Sequence, residues 1–196
     1  PVERIRVLNS VKYESVALDP EGAERAGQIM EWAGLDRGRP CLLGASTWPG
    51  EEAILLDIYD RMKESHPGLC LVLVPRHAER SGDVAAEIEE RGLRWIRRSE
   101  CVPPGNGSEP ADIFLVDTTG ELTHFYPHAT VIFVGKSLRA KGGQNVIEPA
   151  WAVKPILVGP HMENFSVIIE EFLEAEAIVQ VENVGALFQA VVELFD

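Results

Sequence analysis

The chain has 196 residues, of which 45% are hydrophobic and 25% are charged, a balance that is typical of a globular protein. This length suffices for one α/β domain with a sizeable core and is short for two. The 18 Lys and Arg residues against 31 Asp and Glu give a net charge of -13, which argues against nucleic acid and anionic lipid as main partners, because both need clustered positive charge.

The first predicted elements form a strand–helix–strand unit. A flanking helix is expected over 22–33, a buried strand over 40–46, a helix over 51–65 and a second buried strand over 69–75. The apolar residues of the second helix recur with a helical period, and His66-Pro67-Gly68 closes it. Strand, helix and strand within this length make a βαβ unit, which pairs its strands in parallel.

The same alternation continues to the end of the chain. The later elements are a helix over 81–91, strands over 93–97 and 113–117, a helix over 121–126, a strand over 131–135, a helix from about 145, strands over 155–159 and 177–181, and a helix over 184–195. The sum predicts one α/β domain with a Rossmann-like, doubly wound parallel sheet. We expect this domain to occupy residues 21–196, after an interdomain linker and first strand at 1–20.

In such a sheet, ligands bind outside the carboxyl ends of the strands, and the first unusual loop there is 44–52. Its Ser46 and Thr47 offer hydroxyl groups, and the helix that follows offers free N–H groups to an anion. Ser or Thr with acidic residues in the first turn is also an ordinary helix cap. Both interpretations fit this loop.

Arg76 follows Pro75, the end of the second predicted strand. From that position a guanidinium can reach a phosphate or a base edge, and a solvated surface charge is the alternative. His77 can form a hydrogen bond either with a ligand or with the chain itself. Glu79 and Arg80 are interpreted as helix-start residues.

Gly120 lies in the turn 117–122, between a predicted strand and a predicted helix. A glycine permits close approach of a ligand to the backbone, and the turn opens another helix N-terminus. Taken alone, this motif is explained better as a strand-to-helix turn capped by Thr.

The segment 135–149 is the most informative. Gly142 and Gly143 precede a predicted helix and allow the backbone to approach a phosphate. Asn145 and Glu148 are three residues apart and share one face of the first turn, where a carboxylate can accept both hydroxyls of a ribose. A capping box of the same two residues is the alternative, but it does not require the glycines, so the pattern favours nucleotide binding.

The sequence predicts neither a metal site nor a cofactor. Of the five histidines, only His124 and His128 have a ligand-like spacing, and Pro127 lies between them without an acidic third ligand nearby. A Walker-type loop and a GxGxxG fingerprint are absent from the sequence.

The odd number of cysteines, without CxxC spacing, indicates reduced thiols and a cytoplasmic compartment. We interpret Cys41 and Cys70 as buried small residues. No signal peptide opens the chain, and no apolar run approaches the ~18 residues of a spanning helix. The chain begins at Pro1 and its first methionine is Met30, which suggests a segment of a longer protein.

Together and in this order, the four loops resemble the C-terminal domain of the 3-deoxy-D-manno-octulosonic acid (Kdo) transferases. These two-domain GT-B glycosyltransferases move Kdo from CMP-Kdo to lipid A precursor in lipopolysaccharide biosynthesis. The resemblance extends from about Val7 to the end of the chain. It rests on Asn9, Lys12-Tyr13, Ser46-Thr47, Gly50-Glu51-Glu52, Pro75-Arg76-His77, Glu79-Arg80, Gly120-Glu121-Leu122, Gly135, Ser137-Leu138, Gly142-Gly143, Asn145, Glu148-Pro149, Gly159-Pro160 and Asn164-Phe165.

The resemblance implies that residues 21–196 are the C-terminal, CMP-sugar-binding half of a GT-B glycosyltransferase. The motifs and the resemblance together assign nucleotide binding to Ser46, Thr47, Pro75, Arg76, Gly120, Glu121, Leu122, Ser137, Gly142, Gly143, Asn145, Val146, Ile147 and Glu148. Lys12 matches the family lysine that stabilises the transition state, a role that suits a cation because the leaving CMP phosphate gains charge.

The sequence departs from the family pattern at several positions. Trp48 stands where the family usually has His, Ala78 where it has Pro, and Gln144 where it has His. Lys136 replaces a common Gly, and Leu8 stands where a Gly usually precedes the first Asn. The Arg, Glu and Asn positions of the pattern are intact.

In the family, the catalytic base is a Glu of the N-terminal domain, which also binds the lipid acceptor and carries the membrane attachment. No such domain is present in these residues, and a general base must lie within reach of the acceptor hydroxyl. We therefore expect this chain alone to bind CMP or CMP-Kdo weakly and to transfer nothing. The resemblance implies a parent enzyme at the cytoplasmic face of the bacterial inner membrane, with this domain soluble and lipid A precursor and membrane contacted only through the other domain.

Two alternatives are open at this point. A Gly-rich loop followed by Glu at a helix start recurs in GT-B enzymes that use UDP-sugars, so the donor nucleotide could differ. A Rossmann-like regulatory or interaction domain without catalytic function is the second. Binding of CMP against UDP and GDP separates these possibilities.

Overall fold

A computed structural model describes residues 19–101 and 110–196 of the chain. The strands in these ranges are β1 (Cys41–Thr47), β2 (Cys70–Pro75), β3 (Trp95–Arg97), β4 (Ile113–Leu115), β5 (Val131–Val134), β6 (Ile156–Val158) and β7 (Val179–Gln180). The helices are α1 (Pro20–Trp32), α2 (Glu51–Met62), α3 (Ser81–Glu90), α4 (Leu122–Phe125), α5 (Ile147–Ala150), α6 (Ser166–Glu174) and α7 (Val184–Phe195). Every strand and helix predicted within these two ranges has a counterpart among them.

Side-chain caps fix where the outer helices begin. Asp19 caps α1 by accepting a hydrogen bond from the Gly22 backbone N–H at 3.0 Å, and Pro20 occupies the first position of that helix, where the missing N–H costs nothing. Asn183 caps α7 in the same way through the Ala186 N–H. Asx residues at these positions satisfy N–H groups that the first helical turn leaves unpaired.

The helix predicted from about 145 starts two residues later and is short. It begins at Ile147, because the Asn145 Oδ1 accepts a hydrogen bond from the Ile147 N–H at 3.0 Å and holds the preceding backbone in a turn. It ends at Ala150, and Val153 then adopts a positive φ of 53°, which an α-helix does not contain. The segment is therefore a single helical turn.

The strands form one seven-stranded sheet in the order β3-β4-β2-β1-β5-β6-β7. All the described strand pairs are parallel. From β1 the chain first builds one half of the sheet and then returns to β5, on the other side of β1. Loops that leave neighbouring strands toward opposite halves open a crevice, so the carboxyl ends of β1 and β5 mark the position where this fold binds ligands.

Helices cover both faces of the sheet, which explains why the strands are continuous apolar runs. Leu43 of β1 faces one core cluster, which also contains Met30 of α1 and Ile169 of α6. Its neighbour Leu42 faces the other cluster, with Leu187 of α7 and residues of α2 and α3. The alternation follows from strand geometry, and it confirms the predicted doubly wound α/β fold.

The cysteines lie inside this core. Cys41 and Cys70 are directly opposite each other at the start of β1 and β2, and both are buried, as predicted. Cys101 is buried as well, and all three thiols are free. None of the helices in the two described ranges has the length and apolarity required to cross a bilayer. The linker and first strand predicted at 1–20 fall almost wholly on residues 1–18, which lie outside those ranges.

Candidate functional site

A small cleft opens at the carboxyl edge of the sheet, where the loops after β1, β2 and β4 meet. It has a volume of about 80 Å³ and is lined by Ser46, Val74, Pro75, Arg76, Ala78, Thr118, Thr119, Gly120 and Leu122. The structure thus brings together predicted site residues from three of the four loops.

A larger cavity of about 290 Å³ lies at the opposite edge of the sheet. Cys70, Thr130 and Lys154 line it, and each stands at or just before the amino end of a strand. Ligands of doubly wound sheets bind at the carboxyl ends, so we place the candidate site at the smaller cleft.

The end of β1 is bent by a bulge. Ser46 has a φ of 51°, and the register with β2 shifts between Ala45 and Thr47. The bulge leaves Ser46 partly exposed at the cleft and turns Thr47 inward, where it is fully buried. The Thr47 hydroxyl donates to the Glu52 carboxylate at 2.8 Å, so it serves an internal bond, and its assignment to nucleotide binding stays a prediction.

Arg76 is held at the rim of the cleft by its backbone. Its N–H donates to the Thr47 carbonyl at 3.0 Å, while its side chain is exposed. The neighbouring Arg80 instead forms two hydrogen bonds, at 2.8 and 3.2 Å, with the buried Glu52 carboxylate. Arg80 therefore joins the loop after β2 to the first turn of α2, and Arg76 is the guanidinium left for a ligand at this rim.

Gly120 and Leu122 form the other wall of the cleft. Gly120 has a φ of 85°, and no atom of residues 19–101 and 110–196 lies within 4 Å of where its Cβ would be, so a ligand can approach its backbone closely. The Glu121 carboxylate accepts hydrogen bonds from Arg98 at 2.8 Å and from the Thr118 hydroxyl. These bonds order the turn, and direct contact of Glu121 with a nucleotide stays a prediction.

The loop after β5 folds around a carboxylate that sequence reasoning explained only as a helix cap. Glu51 is fully buried and accepts backbone N–H bonds of 2.8 to 3.4 Å from residues 136–139. It also accepts one from the Trp48 N–H at 2.9 Å. Successive N–H groups of this kind form an anion-binding nest, and here the anion is part of the protein. The only sequence signal is a pair of acids directly after Gly50.

Ser137 is buried between two strands. Its hydroxyl donates to the Val134 carbonyl at 2.5 Å and accepts from the Gly159 N–H at 2.8 Å. These bonds join the end of β5 to the loop after β6. Because both bonds are internal, a direct contact of the Ser137 hydroxyl with a nucleotide stays a prediction.

Gly142 and Gly143 form a left-handed turn, with φ values of 106° and 71°. The Gly142 N–H donates to Glu163 at 2.6 Å, and the Gly143 N–H donates to the Lys136 carbonyl at 3.0 Å. The turn packs against Met162. Glycine is therefore required here by the backbone conformation itself, whether or not a phosphate also approaches.

Asn145 and Glu148 lie on one face of the α5 turn, as the spacing predicts. The Asn145 amide donates to Glu148 Oε1 at 3.0 Å, and this contact leaves the second carboxylate oxygen for other partners. Glu148 is half-buried. The burial of Tyr126, together with the nearby negative charge of Glu148, raises the pKa of the Tyr126 hydroxyl well above the usual range. The side chains of Val146 and Ile147 are buried in the core, so any nucleotide contact by these two residues would use the backbone.

No family model matches the sequence, but related proteins are found by direct comparison. The chain is 36% identical over 177 residues to a 3-deoxy-D-manno-octulosonic acid transferase of Bordetella pertussis, covering 89% of this chain and 40% of the relative. It is 31% identical over 193 residues to the protein of that name from Haemophilus influenzae, covering 98% of this chain and 44% of the relative. The solved C-terminal CMP-Kdo binding domain of WaaA from Acinetobacter baumannii matches with a TM-score of 0.75 and 30% identity, over 90% of this chain and 88% of that domain.

The chain belongs to the Kdo transferase family. It spans less than half the length of the curated relatives, at 40% and 44%, and it matches a C-terminal domain over most of that domain's length. The predicted identity as the C-terminal half of a GT-B glycosyltransferase is therefore confirmed for the family and the fold.

Two predictions for this Kdo transferase domain are not settled by its geometry. Lys12, with the Asn9 to Tyr13 motif around it, lies outside the described residues, so its role stays a prediction. Within residues 19–101 and 110–196, no group of three or more His, Cys, Asp and Glu is placed to hold a metal. The expectation that neither a metal nor a cofactor is used likewise stays a prediction.

Proposed function

We propose that this chain is the donor-binding domain of a Kdo transferase that moves Kdo from CMP-Kdo to lipid A precursor in lipopolysaccharide biosynthesis. The observation that carries the proposal is the cleft at the carboxyl edge, where Pro75, Arg76, Gly120 and Leu122 come together from separate loops. Membership of the Kdo transferase family supports the proposed reaction, and the position of the cleft at the carboxyl ends of the strands supports the proposed binding place.

In the proposed complex, the cytosine base enters the cleft between Pro75 and Gly120. The open space around Gly120 admits a flat ring against the backbone, and Arg76 at the rim donates to the base edge or to the phosphate. The free carboxylate oxygen of Glu148 accepts the ribose hydroxyls. These groups position the donor, and positioning itself lowers the barrier to transfer.

The chemical step in this proposal uses no metal. The bond between Kdo and the CMP phosphate breaks, and the departing phosphate gains negative charge that cations of the protein, including Lys12, stabilise. The acceptor hydroxyl loses its proton to a Glu of the N-terminal domain, and its oxygen forms the new bond to the anomeric carbon of Kdo. That domain also holds the lipid A precursor and attaches the parent enzyme to the cytoplasmic face of the bacterial inner membrane.

The proposal is tested by NMR titration of the ¹⁵N-labelled chain with CMP, UDP and GDP. We expect weak, saturable binding with CMP preferred, and amide shifts centred on Arg76, Gly120 and Glu148. Preferential UDP binding would assign the domain to a different donor, and an absence of nucleotide binding would favour a non-catalytic domain.

The Glu148→Ala variant is expected to weaken CMP binding about tenfold, because two hydroxyl contacts to a charged group are lost. Glu170→Ala is the matched control, since it removes the same charge from an exposed position of α6. Equal affinities of the two variants for CMP would contradict the placing of the ribose at Glu148.

A further inference from the structure

Most cations in the described ranges are paired with a carboxylate, and the unpaired ones are concentrated at one edge. In residues 19–101 and 110–196, the loops after β2 and β5 carry four Lys and Arg residues for which no ion pair is found: Arg76, Lys136, Arg139 and Lys141. Arg61 and Lys154 in these ranges also lack an ion pair. Arg61 stacks on Phe188, and Lys154 lies at the opposite edge of the sheet. In a chain of net charge -13, unpaired positive charge at the carboxyl edge indicates a place for an external anion.

Of these cations, Lys136 has its backbone fixed most firmly. Its N–H donates to the buried Glu51 carboxylate at 2.8 Å, and its carbonyl accepts from the Gly143 N–H at 3.0 Å. Its φ of 54° is uncommon for a residue with a Cβ. The protein thus holds a lysine in a conformation that a glycine would adopt more easily, and the Kdo transferase pattern has a glycine here.

The Lys136 side chain lies over the indole ring of Trp48, with Nζ 4.6 Å from the ring centroid. The ring attracts the ammonium group without neutralising it, so the three N–H donors of the ammonium stay available. The Trp48 ring is itself held in position, because it meets the His77 ring edge-on at a centroid distance of 5.7 Å.

In the Lys136–Trp48 pair, the indole N–H of Trp48 is a further donor. The Trp48 Nε1–H is buried and has no hydrogen-bond partner among the described residues, and buried donors are nearly always paired. Lys136 Nζ lies 3.6 Å from the position that a Cβ on Gly142 would take. The ammonium group therefore stands between the loop after β1 and the Gly142–Gly143 turn, at the β1–β5 crevice.

We propose that Lys136, held by Trp48, is an anion-binding residue that contacts an oxyanion of the donor. The donor offers two, the phosphate of CMP and the carboxylate of the sugar acid, and the same chemistry recognises either. This inference rests on the proposed function, and it goes beyond the family pattern, since Lys136 and Trp48 replace residues of different chemistry.

The test measures dissociation constants for cytidine, CMP and CMP-Kdo by NMR titration of this chain and of its Lys136→Met variant. Methionine keeps most of the length and removes the charge. If Lys136 binds the phosphate, CMP and CMP-Kdo both weaken by roughly tenfold and cytidine is unchanged. If it binds the sugar carboxylate, only CMP-Kdo weakens. Both results support the proposal.

Lys154→Met is the matched control, because Lys154 is a half-buried lysine without an ion pair at the opposite edge. Lys136→Arg is expected to keep most of the affinity, since it keeps the charge. Trp48→Leu is expected to weaken the same ligands about threefold, because the ammonium group loses its support.

Several outcomes would overturn the inference. It fails if Lys136→Met binds all three ligands as the unsubstituted chain does, or if cytidine weakens as much as CMP. A spectrum of the free variant that retains the native amide shifts shows that the fold is kept. If the unsubstituted chain binds no cytidine nucleotide, the proposed function fails first and this inference with it, whereas normal CMP binding with an unaffected variant removes only the role of Lys136.

Discussion

At the scale of single residues, the site is ordered by carboxylates that bond to other parts of the protein. Glu51 gathers the N–H groups of residues 136–139, and Glu52 pairs with Arg80. Both carboxylates are buried, where an unpaired charge would be costly and a fully bonded one is tolerated. Since Glu51 fills the nest after β5, the backbone N–H groups of that nest are not free for a phosphate.

Replacing Glu51 by Ala is expected to destabilise the domain by about 3 kcal/mol, because several buried N–H groups lose their acceptor. Glu51→Gln keeps one acceptor oxygen but turns an NH₂ group toward N–H donors, so an intermediate loss is expected. Urea denaturation measures both, with Glu170→Ala as the exposed control. A loss below about 1 kcal/mol for Glu51→Ala would show that water replaces the carboxylate.

At the scale of elements, the close approach of the residue after β5 to the end of β1 defines the crevice. A Cβ on Gly135 would lie 2.6 Å from the Ser46 carbonyl oxygen and 2.6 Å from the Thr47 Cα. These are backbone atoms, so neither can rotate away. The spacing of the two central strands at their carboxyl ends therefore requires glycine at position 135.

Gly135→Ala is expected to destabilise the domain by roughly 2 kcal/mol, as overpacking does in tightly packed regions, and to weaken CMP binding by separating the loops. Gly82→Ala is the control, since Gly82 lies in α3 and none of the described atoms lies within 4 Å of its Cβ position. Alanine there is expected to be neutral or stabilising. Thermal denaturation and CMP titration of both variants make the comparison. Equal stabilities would mean that the two loops can move apart freely.

At the scale of the whole molecule, the charge is distributed unevenly. The net charge is -13, yet Arg76 and Lys136 stand without ion pairs among the described residues at the carboxyl edge. Such a distribution repels polyanions from most of the surface and leaves one edge attractive to a small anion. It agrees with an anionic donor and with an acceptor bound elsewhere.

We expect the isolated chain to transfer no Kdo when it is incubated with CMP-Kdo and lipid A precursor. The physical reason is that no residue assigned to this domain deprotonates the acceptor hydroxyl. Thin-layer chromatography of a radiolabelled acceptor measures the product, with a full-length Kdo transferase as positive control. Product formed by the isolated chain above the level without protein would show that the domain carries its own base.

The sequence by itself determined the order along the chain of the described strands and of the described helices other than α6, the doubly wound class and the family. These follow from apolar periodicity and from short motifs, which depend on neighbouring residues. It also placed Arg76, Gly120 and Glu148 in segments that follow strands at the same sheet edge, because parallel strands end together.

Only the tertiary structure decided what several site residues do. The Glu51 contact with Lys136 joins residues 85 positions apart, and the Ser137 hydroxyl meets a loop 22 positions away. Thr47 and Ser137 look like ligand-binding hydroxyls in the sequence, yet they are buried and bonded to the protein. Such pairings depend on which strands lie side by side. The order of the strands within the sheet is set by the packing of the whole sheet, which no local pattern encodes.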